Sequence, residues 1–251
     1  MILNPSARLI PPYVVDRIRR RPPADCCVLP GSTPVVAFGD PSQSLVATLG
    51  LNPSRVEFEA KGVEFDGQLR RFETLRSLGV EQMDGASHDA VARVWTRCNA
   101  YFHGNPYRWF DYLEQLVNAV DASYFGDTAC HLDLSQWATD PTWSGLPQRA
   151  RERLVADDSG FLQEQLRSEP IRLLLLNGRS VLTAAQKGLG IRLRQEPETV
   201  SDRSVVAQIY TSQTQHVQVV GWSTNLQSSR GVTRVFRARL AERVRLLRDR
   251  A

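Results

Sequence analysis

Lysine is almost missing. Lys61 and Lys187 are the only two in 251 residues, so the positive side of a net charge of +4 is carried by arginine. Cysteine and histidine are scarce too. The four cysteines are Cys26, Cys27, Cys98 and Cys130, two of them adjacent and the others far apart. That spacing excludes a disulfide framework and a C-x-x-C knuckle, and leaves ordinary reduced thiols. The four histidines, His88, His103, His131 and His216, are scattered, so no zinc site is signalled and no metal or cofactor is expected. No apolar run approaches the ~20 residues that cross a bilayer. The opening MILNPSARLIPPYVV lacks the pattern of a signal peptide. A cytoplasmic protein with no membrane partner is the expectation. There is neither G-x-G-x-x-G nor G-x-x-x-x-G-K-[ST], which argues against a dinucleotide or ATP enzyme. What remains, 42% apolar and 23% charged, is the composition of a soluble globular protein.

Apolar runs bounded by turn residues mark strands at Val35–Phe38, Leu45–Leu49, Cys130–Leu134, Arg172–Leu176, Val205–Tyr210 and Val217–Gly221. The run of leucines at 173–176 followed by Asn177-Gly178 has the form of a buried parallel strand ending in a turn. Helical periodicity covers Leu69–Leu78, Tyr107–Val120, Arg149–Arg167, Val181–Gly188 and Thr233–Arg250, the last with Val235, Leu240, Val244 and Leu247 facing inward. Alternating strands and helices predict an α/β fold: a three-layer α/β/α domain with a central, mostly parallel four-stranded sheet. Residues 1–34, rich in proline, read as an N-terminal arm or short helix laid on a single domain at 35–251. The segment from Gly190 to Ser204 reads as a charged loop. The arginines from Arg230 to Arg250 fit two descriptions, a phosphate-gripping face or a solvated amphipathic helix.

Three segments leave strand ends and therefore have the means to converge on one cleft, since ligands of open α/β sheets bind there. The first is Gly50-Leu51-Asn52-Pro53-Ser54. The second is the strand with His131 and Asp133, continued by Ser135-Gln136-Trp137-Ala138-Thr139-Asp140-Pro141. The third is Trp222-Ser223-Thr224-Asn225-Leu226-Gln227-Ser228-Ser229-Arg230-Gly231. This third segment is rich in hydroxyls and small residues, as a phosphate-gripping loop requires. The segments together resemble the uracil-DNA glycosylase superfamily. Gly50-Leu51-Asn52-Pro53 is similar to its water-activating motif in the version that carries Asn. Phe65, closing Gly62-Val63-Glu64-Phe65, falls thirteen residues after Asn52, where the family's uracil-specific branch has its base-stacking Phe. The segment from Trp222 to Gly231 matches the length of the family's His-Pro-Ser-Pro-Leu-Ser loop through its Arg-Gly. Leu173–Gly178 with Gln186 is similar to its leucine-rich strand, turn and helix.

The resemblance implies an enzyme, a monofunctional DNA glycosylase, with DNA as partner and a monomeric chain. It places water activation on Asn52, base stacking on Phe65, base reading on Asp133 and Ser54, and DNA contacts on Ser223, Thr224, Asn225, Leu226 (the wedge in the duplex), Ser228 and Arg230. Three positions depart from the family: Trp222 stands where it has its catalytic His, Asp133 where it has a base-reading Asn, and Ser54 where its uracil branch has a methyl-excluding Tyr. Such an enzyme reads the edge of an extruded base. A protonated carboxyl offers one acceptor and one O–H donor, which matches cytosine rather than uracil, and burial raises a carboxyl's pKa. Asp133 is accordingly also a catalytic candidate, passing a proton toward the base. Removing ordinary cytosine would destroy the host genome, so something must mark the base, and a small Ser54 leaves room at C5. The expectation is excision of a non-standard pyrimidine, including a 5-modified cytosine of virus DNA in a defence role. Uracil or damaged-base repair is the alternative, and a catalytically dead DNA-binding module of the same fold is a further one. His131, two residues from Asp133, reads as a satisfied structural histidine.

Overall fold

In the computed structural model, which describes residues 9–214, 216–227 and 230–250, every residue of the strand Leu173–Asn177 is buried. The reason is the pleat. Leu173 and Leu175 join one hydrophobic cluster, and Leu174 and Leu176 join another, so the strand separates two cores. Along the chain run α1 (Pro12–Arg19), β1 (Val46–Gly50), a hairpin of β2 (Glu59–Ala60) and β3 (Val63–Glu64), α2 (Leu75–Leu78), α3 (His88–Asn99), α4 (Asp111–Asn118) and β4 (Ala129–Asp133). There follow α5 (Gln148–Ser168), β5 (Leu173–Asn177), α6 (Arg179–Leu189), β6 (Arg194–Asp202), β7 (Val205–Thr214), β8 (Val217–Trp222) and α7 (Arg234–Arg248). The main sheet has the order β4-β1-β5-β8-β7-β6. One core packs Val91 and Val94 of α3, Leu113, Leu116 and Val117 of α4, and Phe236, Leu240 and Val244 of α7. The other packs Leu162 and Leu166 of α5 and Val181, Leu182 and Ala185 of α6.

The expected four-stranded sheet is therefore a mixed six-stranded one. β4, β1, β5 and β8 are parallel neighbours, and β7 and β6 extend them in antiparallel fashion. The extra strand is β6, whose sequence RQEPETVSD reads as a charged loop. It is an edge strand, with Pro197 inside a register shift between Gln195 and Thr199. Edges and bulges are where a sheet tolerates proline. Buried Glu196 is neutralised by Arg243 at 3.6 Å and Arg194 at 3.2 Å. Val35–Phe38 is not a strand of the sheet. It lies along β4 as a buried strap whose Phe38 exchanges two backbone hydrogen bonds of 2.9 Å with His131. On α7 the inward face is Phe236, Leu240, Val244 and Leu247, while Val235 is 51% exposed.

The N-terminal segment is anchored from inside. Arg17 of α1 is fully buried, stands 3.0 Å from Asp158 of α5, donates from Nε to Gln136 Oε1 at 2.9 Å and lies over the Trp137 ring at 4.8 Å. Removal from water lowers its pKa to about 10 despite the raising effect of Asp158. Truncating one partner of such a pair strands the other charge in the interior. Arg17→Ala is expected to cost about 3–5 kcal/mol of stability. Urea unfolding measures it, and a loss under about 1 kcal/mol would mean that the pair is solvated.

Candidate active site

The site begins where β1 and β4 end. Gly50 and Asp133 are register partners. Beyond them the two chains stay zipped: Leu134 N donates to Gly50 O at 3.2 Å and Ser135 N to Leu51 O at 3.0 Å. This brings Asn52 against the segment after β4. Its Nδ2 donates to the Trp137 carbonyl at 3.0 Å and to Thr139 Oγ1 at 3.1 Å. Both amide hydrogens are thereby committed, and Oδ1 is the atom left to accept. Gly50 leaves room for two side chains of β4. A β-carbon there would stand 2.2 Å from Asp133 Oδ1 and 2.7 Å from His131 Nε2.

Asp133 is buried, and its Oδ2 has no hydrogen-bond partner. Its Oδ1 lies 3.4 Å from His131 Nε2. Behind His131, Nδ1 is 2.7 Å from Thr48 Oγ1, which is 2.5 Å from Tyr124 OH. Burial pushes the Tyr124 phenol well above its ordinary pKa, so it keeps its proton. Thr48 Oγ1 thus sits between the phenol and His131 Nδ1, and the other ring nitrogen, Nε2, faces Asp133. His131 also lies on the cleft wall.

Glu57 completes the group, and the sequence reading passed over it. Ser54 caps the short turn Arg55–Glu57 by accepting from Val56 N at 3.4 Å. Glu57 is 3% exposed and lines the same cleft. Tyr101 OH donates to its Oε2 at 2.9 Å, and Arg71 stands 3.8 Å away. Burial raises its pKa to about 7; Tyr101 and Arg71 pull it back, and the charge of Asp133 adds to the rise. The signal in the sequence was a lone carboxylate between Val56 and Phe58, apolar on both sides.

The cleft has a volume of about 1180 Å³. Asn52, Ser54, Asp133 and Asn225 line it, with Tyr107, Trp109 and Phe110 as its aromatic wall. Phe65 does not line it. It sits beside the β2–β3 hairpin with Arg71 over its ring at 4.9 Å, and the rings that line the cleft are those of the aromatic wall. Leu226 is 2% exposed and belongs to the core, so in this structure it is packing and not a wedge. Ser223 and Thr224 are tied to β7: Gln208 N donates to Ser223 Oγ at 3.0 Å, and Thr224 Oγ1 donates to Val206 O at 2.9 Å. Their hydroxyls serve the sheet. Asn177, also unforeseen, organises this loop. Its Oδ1 accepts from Trp222 Nε1 at 2.9 Å and Leu226 N at 3.0 Å, and its Nδ2 donates to Gln227. Trp222 is buried and spends its N–H on that bond. Arg230 is exposed, and Ser228 lies outside the described residues.

The arginines of α7 are largely committed to carboxylates. Arg239 faces Asp202 at 3.8 Å, Arg243 faces Glu198 at 2.7 Å, Arg245 faces Glu242 at 2.7 Å and Arg248 faces Asp121 at 2.8 Å. Among the described residues no group of three His, Cys, Asp or Glu is placed to hold a metal ion, and no helix is long and apolar enough to cross a membrane. The chain matches no protein-family model and no curated protein sequence.

Glu57 carries a pH signature. A carboxyl whose folded pKa is raised stabilises the fold below its unfolded value, and that contribution is lost as pH rises through the folded one. Between pH 4.5 and about 7 the wild type is expected to lose on the order of 3 kcal/mol of stability from this group, at ~1.4 kcal/mol per unit. Glu57→Gln is expected to flatten that slope in urea titrations at pH 4.5, 6 and 8. An equal slope in the variant would place the titration elsewhere.

Proposed function

We propose that this protein is a monofunctional DNA glycosylase that hydrolyses the N-glycosidic bond of a flipped, non-standard pyrimidine and leaves an abasic site. The observation that carries the reading is the meeting, on one cleft, of an amide with a committed nitrogen at Asn52 and a buried carboxylate oxygen without a partner at Asp133. Helices packed on both faces of the sheet accord with a three-layer α/β/α arrangement. The enzyme acts on DNA as a monomer in the cytoplasm.

Asn52 Oδ1 accepts a hydrogen bond from the attacking water and orients its lone pair at C1′. Asp133 accepts from an exocyclic amine such as cytosine N4, a pairing carboxylates make elsewhere. Glu57, protonated up to about pH 7, donates to the base. As the C1′–N1 bond breaks, its electron pair stays on the base and the Glu57 proton neutralises it. The new C1′–O bond forms, and the water's spare proton passes to solvent. Acceptor and donor on two carboxyls divide the work that the sequence reading gave to Asp133 alone. Uracil presents a carbonyl where cytosine has its amine, so Asp133 favours the cytosine edge over uracil. The cleft exceeds the ~300–1,000 Å³ of ordinary small-molecule sites. With Ser54 on its wall it has room for a 5-substituent, which supports a modified cytosine of virus DNA as the target and defence as the role.

An abasic-site assay on DNA carrying 5-hydroxymethylcytosine, uracil or plain cytosine tests the reading. Absence of cleavage on all non-standard bases would leave a DNA-binding module at most. Asn52→Ala is expected to lower the single-turnover rate by at least ~10²-fold while DNA binding persists, because water placement is a transition-state task. A rate near wild type would make Asn52 a turn residue. Wild-type turnover of the cytosine-type base is expected to fall as pH rises through about 7, where Glu57 loses its proton. Glu57→Gln is expected to be slower by ~10²–10⁴-fold with that limb gone. Identical pH profiles for the two proteins would remove Glu57 from the chemistry.

A further inference from the structure

The cleft does not end at the catalytic group. It continues between α5 and α6, where Arg151, Arg179 and Lys187 line it. None of the three has a carboxylate partner among the described residues, in contrast to most arginines of α7. One carboxylate, Glu152, faces this arm, and it is engaged by Gln148 Nε2 at 2.8 Å. The arm is a groove because α5 and α6 approach closely at its floor, where a β-carbon on Gly188 would come within 2.7 Å of Val155 Cγ1. Arg151 and Arg179 stand in the first turns of their helices, at the end of the sheet where the catalytic group lies. Lys187, one of the chain's two lysines, is eight residues further along α6. At 1.5 Å per residue that is about 12 Å down the flank.

We infer that this arm holds the phosphate backbone of the DNA strand next to the extruded nucleotide. The inference rests on the glycosylase reading for its partner. Cations along a groove that opens from a base-sized site suit an anionic polymer, and unpaired arginine and lysine can engage phosphate without first breaking an ion pair. The structural arginines of α7 cannot do so as cheaply. The groove therefore takes the role that the sequence reading assigned to the Trp222–Gly231 segment.

Fluorescence anisotropy of the full chain on single-stranded oligothymidine, from 50 to 200 mM salt, tests this. Each phosphate contact adds ~0.7 to the slope of log affinity against log salt on a single strand. The double variant Arg151→Gln/Lys187→Gln is expected to bind more weakly with a slope shallower by about 1.4, two contacts' worth. Arg179→Gln alone is expected to lose about 0.7. Arg245→Gln on α7 serves as the ion-paired control and is expected to keep the wild-type slope. Slopes unchanged in the groove variants would overturn the inference. So would a slope unchanged while affinity for a bulky 5-substituted base falls, which would give the arm to the substituent. The two readings fail separately. A chain that cuts no base yet loses slope in the groove variants keeps the groove and drops the glycosylase. A chain that cuts with slopes unmoved keeps the glycosylase and drops the groove.

Discussion

Asp133 and His131 can lie against β1 because Gly50 has no side chain. Its register partner across the β1–β4 ladder is Asp133, and the carboxylate oxygen and the His131 ring occupy the volume that any β-carbon at position 50 would need. A glycine inside a strand costs backbone entropy and offers nothing to pack. Here that cost is offset by placing two polar groups where water is largely excluded. The backbone bonds from Leu134 to Gly50 and from Ser135 to Leu51 then keep the strand ends together long enough for Trp137 and Thr139 to grip Asn52. The amide, the imidazole and the carboxylate are positioned by one ladder, so they move together or not at all.

Some arginines are structural cations. Arg239, Arg243 and Arg248 of α7 join the last helix to β6 and to the loop before β4, and Arg17 ties the first helix to α5. Their effect on the surface potential is small because each of these four faces a carboxylate. Arg151, Arg179 and Lys187 are not matched, and they share one cleft. A formal charge of +4 spread over a chain this size says little. Its distribution between paired and unpaired groups says which face an anion meets, since only unpaired charge steers over distance.

Much of the architecture was legible because burial in a parallel sheet leaves continuous apolar runs. Leu45–Leu49, Cys130–Leu134 and Arg172–Leu176 overlap β1, β4 and β5, and the periodic segments gave α5, α6 and α7 closely. β6 was illegible because this edge strand buries only Glu196 and Val200 of its nine residues, four apart, which leaves no alternating apolar pattern. α3 was passed over although its Val91, Val94 and Cys98 sit at helical spacing. In the site, Asn52, Ser54, Asp133 and Asn225 could be named because a strand end followed by a turn points to them. Phe65 and Leu226 were misplaced because spacing along the chain does not say which way a loop residue faces. Glu57 shows in the sequence only as a carboxylate between two apolar residues, since its character comes from burial, Tyr101 and Arg71.

The assignment of protons runs from the deepest group outward. Burial keeps the proton on Tyr124, since desolvation is the first cause of its raised pKa. Its hydroxyl joins a buried series through Thr48 to His131, whose other ring nitrogen faces Asp133. The carboxylate of Asp133 sets Oδ1 on that side and leaves its other oxygen, Oδ2, buried without a partner. That same negative charge acts on Glu57 and helps to hold its proton. Of the two carboxyls in one cleft, Glu57 is the one whose proton is held, by burial first and by its neighbour's charge. A ligand edge that offers a donor beside an acceptor is the complement of a partnerless carboxylate oxygen beside a protonated carboxyl.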